Sequence, residues 1–471
     1  MRGTAVVTTV MSWRGHAGRH GRTIDRRNGT RVAVLTISVL FTVFSAGVTA
    51  WAQGTAFGAS ALPAPTGAFG VGRVTVHWTD RSRVEPLAAD RRHRELMVDV
   101  WYPADPMAGP AAAYLDPSVF EQPQSAERLK GYLRNAYDNI KAGRVQTHAV
   151  QGAPFARSAK HSPVLIFSHG GGEARETYTA QLEDLASHGY VVAAITHAYE
   201  AVLAAFPDGR HIVLAPNRWP PPARSSIEGL PASEEANADR LRWWADDIRF
   251  VLNNLSRENR VGDPSRLQFA GHLDLARIGA FGHSGGGQAA AHACQADRRL
   301  RACLNQDGLS GFAPYYLDRN GWGMDQAFML MARAAREDPP KDEELAAMKM
   351  TRQQAETLLE KLKARQEATL RKTGKGSYLV VFEGKTTTHA DFGDLPLLQS
   401  RSRDEAERHA RFLRVVRKYT RAFFDKYLRG TKAPLLYGAA KPDFVEAVQR
   451  FEPARRPRKR APVRTPINRC L

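Results

Sequence analysis

The segment Arg277–Ala290, RIGAFGHSGGGQAA, is the feature that most constrains what this chain can fold into. A run of apolar and small residues leads straight into glycines that flank Ser284, and small helix-forming residues follow. This pattern predicts a buried strand that turns sharply into a helix, with the serine in the turn. Gly282 and Gly286, two positions either side, lack side chains that would collide with neighbouring elements. A serine held in this way is typical of a nucleophile.

Apolar runs typical of buried strands alternate with helical patterns along the rest of the chain. Strands are expected at 73–78, 95–103, 163–172, 190–197, 302–308, 327–332 and 378–384, and helices at 239–255 and before Gly430. Buried strands that alternate with helices predict an α/β fold, with a mostly parallel central sheet and helices on both faces. Residues 333–375 are expected to form a charged helical insertion before the last strand, with a lid as one interpretation, and Thr351 with Gln354 predicts a capping box.

The ends of the chain carry most of its net charge of +19, because residues 1–31 and 441–471 contribute +6 each. A nucleic-acid-binding protein needs a basic face on a folded module, so we do not expect one here. The uncharged apolar run at 32–50 precedes the small-x-small pattern Ala50–Ala52. Residues 1–52 are therefore interpreted as a cleaved signal peptide, with an uncleaved membrane anchor as the alternative.

The domain boundaries follow from these features. A Gly/Ala/Pro-rich linker is expected at 53–70, a catalytic domain at 71–440 and a basic disordered tail at 450–471, which could contact an anionic membrane surface weakly. The expected location is secreted or periplasmic. In an exported protein Cys294 and Cys303 could form a disulfide, and the spacing leaves this open.

A serine nucleophile needs a base, and three histidines follow Ser284. His292 lies within the helix behind the serine and should face away, whereas His409 lies among charged residues of the terminal helix and should be solvated. His389, in a loop just after the strand at 378–384, can reach the serine. It is therefore the predicted general base.

The acid of the triad has more than one candidate. Asp307 ends a strand just before a glycine, a position that fixes its geometry. Glu337 and Asp338 follow the next strand, although they resemble the solvated start of the charged insertion. Asp391 and Asp394 come too soon after the histidine to orient it easily and should fix its loop instead.

Backbone amides are expected to form the oxyanion hole. The amide of Gly285 provides one donor, and the loop SHGGG after the strand at 163–168 provides the other. Gly171 is the preferred residue of that loop, with Gly170 as the alternative, and His169 is expected to be structural. The chain has neither a phosphate-binding P-loop nor the spacing of a dinucleotide or zinc site, so no cofactor or metal is expected.

Four motifs, in this order and spacing, resemble the plasma-type platelet-activating factor acetylhydrolases and their bacterial relatives. They are LIFSHGGG with DLASHGYVVAAITH, RIGAFGHSGGG, ACLNQDG and THADFGD, and the first two strands look like those of the bacterial branch. The resemblance implies an α/β-hydrolase fold related to dienelactone hydrolases, without a metal. It also implies a Ser284, Asp307 and His389 triad, with the Gly171 and Gly285 amides as the oxyanion hole.

The expected activity is that of an exported serine esterase acting through an acyl-enzyme. The resemblance implies a small-molecule or lipid ester as substrate, with a short acyl chain or a phospholipid-like structure, and hence a role in lipid degradation. An acyltransferase using the same triad, or an inactive hydrolase fold that serves as a binding module, are the alternatives.

Overall fold

The structure is a computed structural model of the chain. It describes residues 61–106, 109–215, 230–261, 267–308, 324–334, 345, 350–383, 386–437 and 446–451. The predicted signal peptide at 1–52 and nearly all of the predicted tail at 450–471 lie outside these residues, as do Glu337 and Asp338.

The described strands are β1 Gly70–Val84, β2 His93–Ala104, β3 Ala149–Gln151, β4 Ser162–Ser168, β5 Val191–His197, β6 Leu203–Ala205, β7 His211–Val213, β8 Leu273–His283, β9 Leu300–Gln306, β10 Ala327–Arg333, β11 Ser377–Phe382 and β12 Glu446–Phe451. Ten of them form one sheet, in the order β12-β11-β10-β9-β8-β4-β5-β2-β1-β3, and β6 and β7 form a separate hairpin. The six strands from β11 to β5 in this order are mutually parallel, while β2 and β12 are antiparallel to their neighbours. The predicted α/β fold with a mostly parallel sheet is confirmed.

Helices cover both faces of this sheet. The described helices are α1 Pro123–Leu133, α2 Tyr137–Lys141, α3 Thr179–Ser187, α4 Leu230–Val261, α5 Gly285–Ala296, α6 Arg352–Arg371, α7 Leu395–Leu398 and α8 Arg403–Arg429. One apolar core packs α4 and α5 against the sheet through residues such as Trp244 and Ile248, and the other packs α3 and α8 through Leu182 and Phe423. Because the six central strands are parallel, their carboxyl ends lie at one edge of the sheet, where ligand sites form in such folds.

The domain extends beyond both of its predicted boundaries. Leu62 is buried, and the amide and hydroxyl of Thr66 both donate to Asp184, so residues 61–69 pack on the domain rather than forming a free linker. At the other end, β12 pairs with β11 as an edge strand, so the strand at 378–384 is not the last. The sequence EAVQRF is short and lies next to an Arg/Pro-rich segment, so its alternating pattern is difficult to identify as a strand.

Two further predictions concern local structure. Thr351 and Gln354 form the expected capping box at the start of α6. Cys294 of α5 and Cys303 of β9 are joined in a disulfide, and both are fully buried. Among the described residues we find no helix with the length and apolar character needed to cross a membrane.

Candidate active site

Ser284 lies where β8 turns into α5, with φ 52° and ψ −121°. This backbone conformation is strained for a residue with a Cβ and is typical of a nucleophile at a strand-to-helix turn. Gly282 and Gly286 lie against the backbone of Ser168, and a Cβ on either glycine would overlap the Ser168 carbonyl oxygen. The glycines therefore allow the close approach that the turn requires. Ser284 itself is partly exposed at this edge of the sheet.

Asp307 directly follows β9 and is buried. Its Oδ2 atom accepts a hydrogen bond from Nδ1 of His389 at 2.6 Å and another from Nε of Arg333 at 2.6 Å. Burial raises the pKa of Asp307, but the hydrogen bond and charge of His389, together with Arg333, hold that pKa below its usual value. The carboxyl group is therefore ionised at neutral pH and can orient the imidazole.

His389 begins a short 3₁₀ helix, His389–Phe392, in the loop after β11. Its side chain is 41% exposed, and its ring centroid lies 4.4 Å from that of the buried His283. Because His283 directly precedes Ser284, the structure brings the three predicted triad residues to one corner of the domain. Within the described residues no hydrogen bond joins Ser284 to His389, and such bonds are often long before a substrate binds.

The loop that carries His389 is anchored from two sides. The Thr388 amide donates to Oδ2 of Asp391 at 2.6 Å, and the other carboxylate oxygen lies 2.6 Å from Nδ1 of His409 on α8. His409 is buried, so the prediction that it is solvated is wrong, because it lies on the inner face of the helix. Asp391 fixes the loop as expected, and the buried Asp394 accepts a hydrogen bond from the Ala180 amide.

The predicted oxyanion loop follows β4. The Gly170 amide donates to Glu173 at 3.2 Å and the Gly172 amide donates to the Glu200 carbonyl at 2.9 Å. The Gly171 amide between them has no partner among the described residues, and the same holds for the Gly285 amide in the first turn of α5. Unpaired amides are expected at the start of a helix, where they can bind an anion. Gly171 is therefore better placed than Gly170 to donate to a substrate.

Two residues near the triad were not anticipated. Arg333, at the end of β10, pairs with Asp307, and Glu173 accepts hydrogen bonds from Tyr178 and from the Gly170 amide and lies 3.2 Å from Nδ1 of His283. Burial raises the pKa of Glu173, but His283, the Tyr178 hydroxyl and His389 lower it to about 2. In the sequence, Arg333 directly follows a predicted strand, and Glu173 directly follows the glycines after another predicted strand. Their positions are the only sequence signal that could have identified them.

Among the described residues, no group of three or more His, Cys, Asp or Glu side chains could hold a metal ion. The groups that the structure brings together at this edge of the sheet are a serine hydroxyl, an imidazole, a carboxylate and two backbone amides.

Comparison with known families supports the predicted resemblance. The model of the family described as "Platelet-activating factor acetylhydrolase, isoform II" matches residues 54–223. A platelet-activating factor acetylhydrolase of Cavia porcellus is 25% identical over 284 residues, which are 54% of this chain and 56% of the relative. A probable 1-alkyl-2-acetylglycerophosphocholine esterase of Arthroderma benhamiae is 26% identical over 262 residues, 52% of this chain and 58% of the relative. The chain thus spans little more than half the length of these curated relatives.

A solved structure matches a larger share of this chain than these curated relatives do. The ferulic acid esterase from Streptomyces cinnamoneus superposes with a TM-score of 0.58 and 28% sequence identity, covering 81% of this chain and 96% of that one. The predicted resemblance to the acetylhydrolase family and the α/β-hydrolase fold are both confirmed. The bacterial branch stays a prediction.

Proposed function

We propose that this chain, which is related to the platelet-activating factor acetylhydrolase family, is a serine-type carboxylic ester hydrolase. The observation that carries the proposal is the 2.6 Å hydrogen bond between Asp307 and His389, beside the strained turn at Ser284. Along the chain these residues run Ser, Asp, His, which is the order of α/β-hydrolases.

In the acylation step, the Ser284 hydroxyl oxygen forms a bond to the ester carbonyl carbon while Nε2 of His389 takes the hydroxyl proton. The Gly171 and Gly285 amides donate to the oxyanion that develops on the carbonyl oxygen. Asp307 holds Nδ1 of the imidazole and stabilises its positive charge. The bond to the alcohol oxygen then breaks, and His389 gives its proton to the departing alcohol.

In the deacylation step, a water molecule replaces the alcohol. His389 takes one proton from this water as its oxygen attacks the acyl carbon of the acyl-enzyme. The bond to Ser284 breaks, the serine recovers its proton from the imidazole, and the carboxylic acid leaves. The same three side chains therefore serve both halves of the cycle.

The proposed substrates are esters with a short acyl chain, including phospholipid-like esters. The name of one relative supports this choice, because it specifies an acetyl ester of a glycerophosphocholine. The name of the solved neighbour, a ferulic acid esterase, supports ester hydrolysis more generally. Degradation of short-chain lipid esters is the role that fits these names.

Export is also proposed. The apolar run at 32–50 and the small-x-small pattern before residue 53 support a cleaved signal peptide. The buried disulfide between Cys294 and Cys303 supports it as well, because such bonds persist in oxidising compartments.

The test is a series of p-nitrophenyl esters from acetate to palmitate, together with phosphatidylcholines that carry an acetyl or a palmitoyl group at the second position. We expect the largest kcat/KM for the short acyl groups and no turnover above the blank for Ser284→Ala. Equal rates for the wild type and for Ser284→Ala would overturn the hydrolase proposal. A preference for palmitoyl esters would overturn only the short-chain assignment.

A further inference from the structure

A second serine, histidine and aspartate are linked by hydrogen bonds inside the domain. Oγ of Ser168 lies 2.7 Å from Nε2 of His197, and Nδ1 of His197 lies 2.7 Å from Oδ2 of Asp247. All three side chains are fully buried, at the end of β4, at the end of β5 and within α4. Because none can reach a substrate, this buried array is not a second catalytic centre.

The charges around Asp247 determine which atom donates in each bond. Nη2 of Arg94 lies 2.6 Å from Asp247 and Nη2 of Arg83 lies 2.8 Å from it, so the carboxyl group is ionised and can only accept. His197 therefore donates from Nδ1, and its Nε2 atom accepts from the Ser168 hydroxyl. Burial also lowers the pKa of His197, which keeps the ring neutral. The Ser168 side chain is thus held in one orientation.

The buried array continues directly into the oxyanion loop. The His197 amide donates to Nε2 of His169 at 3.2 Å, and Nδ1 of His169 in turn donates to the Gly170 carbonyl at 2.7 Å. His169 therefore acts as a brace between the two segments, which agrees with its predicted structural role.

A second connection reaches the far end of the same loop. The ring of His197 stacks on Trp244, with centroids 4.0 Å apart and planes 5° apart. The Trp244 indole donates to the Glu200 carboxylate, while the Glu200 carbonyl accepts from the Gly172 amide. The loop is therefore held before and after Gly171, whose own amide stays available.

The backbone of Ser168 also packs directly against the turn that carries Ser284. Its carbonyl oxygen lies against Gly282 and Gly286, so close that neither residue could carry a Cβ. The amides of Gly171 and Gly285 belong to these two contacting segments. A shift of Ser168 would therefore change the spacing between the two proposed oxyanion donors.

We infer that Ser168, His197 and Asp247 are positioning residues, which act by holding the Gly171 amide in place for the oxyanion. The inference rests on the proposed esterase function. Positioning of this kind affects the transition state more than the bound ester, because the oxyanion exists only after attack. Loss of the array should therefore lower kcat and leave KM nearly unchanged.

The test compares Ser168→Ala with a matched control, Ser377→Ala. Ser377 is also a fully buried strand serine, but it begins β11, and its hydroxyl donates to the Leu370 carbonyl at 2.8 Å. Both variants lose one buried hydrogen bond, so both should melt at a lower temperature than the wild type. Ser168→Ala should lose about 10- to 100-fold in kcat on p-nitrophenyl acetate, with KM within about twofold. Ser377→Ala should keep its kcat.

A second measurement separates positioning from a general loss of structure. A trifluoromethyl ketone forms a tetrahedral oxyanion adduct on a serine, so its inhibition constant should rise for Ser168→Ala by the same factor as kcat falls. In a folded Ser168→Ala protein, kcat within twofold of the wild type would overturn the inference while leaving the esterase proposal intact. Absence of turnover by the wild type would overturn the esterase proposal and this inference with it.

Discussion

The domain contains the same three residue types twice, in surroundings that differ in access to solvent. Ser284, His389 and Asp307 meet at the edge of the sheet, where the imidazole is 41% exposed. The buried array of Ser168, His197 and Asp247 is fully enclosed, and its serine hydroxyl is already bonded to its histidine. Residue types and hydrogen bonds alone therefore do not identify a catalytic centre. Accessibility of the serine is what separates the two.

The surroundings of the two carboxylates differ in the same way. Both aspartates are buried, so each depends on charged partners. Beside Asp247, the side chains of Arg94 and Arg83 are only 1% and 13% exposed. Beside Asp307, those of Arg333 and His389 are 33% and 41% exposed. The surroundings of Asp247 therefore hold an ionised group inside the protein, while those of Asp307 leave the imidazole within reach of solvent.

The sharpest test of this comparison is replacement of Ser284, the proposed nucleophile. Ser284→Ala should lower kcat on the order of a million-fold, by analogy with other triads, since the proposed acyl-enzyme forms on the Ser284 hydroxyl. Steady-state kinetics on p-nitrophenyl acetate measures this, with circular dichroism to show that the variant is folded. Substantial residual activity would mean that Ser284 is not the nucleophile and would remove the distinction drawn above.

The acid of the exposed site should matter almost as much for catalysis. Asp307→Asn preserves the shape of the side chain but presents the wrong hydrogen-bonding partner to Nδ1 of His389, so kcat should fall by roughly 10⁴-fold. The melting temperature should fall less than for the corresponding change in the buried array, because Arg333 and His389 stay partly solvated when the carboxylate charge is lost. A variant with near wild-type kcat would assign the acid to another residue.

The corresponding change in the buried array should lower stability as well as kcat. Asp247→Asn leaves the guanidinium groups of Arg94 and Arg83 without their shared counter-ion, which should cost about 3 kcal/mol of unfolding free energy. Urea denaturation measures the loss for this variant and for Asp307→Asn side by side. An equal loss for the two variants would contradict the view that the enclosed partners of Asp247 distinguish the two sites.

The smallest expected effect concerns Glu173, which contacts both the oxyanion loop and His283. Its pKa of about 2 in the folded protein lies below the usual 4.5, so its stabilising contribution is complete above about pH 4.5 and disappears as the pH falls towards 2. Glu173→Gln should therefore have a lower free energy of unfolding than the wild type at pH 7. The difference between the two proteins should shrink as the pH falls from 5 to 3.

Urea denaturation at these pH values measures that difference. Glu407→Gln is the control, because its exposed pairing with Arg403 contributes little at any pH. A difference in unfolding free energy that stays constant or widens in acid would contradict the lowered pKa of Glu173.

Much of the fold and of the candidate site could be predicted from local sequence patterns. The strand, the glycines and Ser284 are contiguous, so the strained turn is readable from a single segment. Asp307 and His389 each follow a strand closely, and parallel strands bring their carboxyl ends to the same edge.

The remaining features depend on contacts between distant segments. Arg333 meets Asp307 only because β9 and β10 pair in one particular register, and the link from Ser168 to His197 and Asp247 joins two strands and a helix. The edge strand β12 was missed because its pairing with β11 is not visible in a short polar sequence. Side-chain partners of this kind follow from register and packing, which no single segment specifies.

Active-site labelling tests the central claim most directly, because a fluorophosphonate reacts only with a serine that is activated and accessible. Trypsin would place Ser284 in the peptide 278–298 and Ser168 in the peptide 161–175, which mass spectrometry separates. We expect one label per chain, on Ser284, and none after His389→Ala. A label on Ser168, or an unlabelled Ser284 in the folded wild type, would contradict the account.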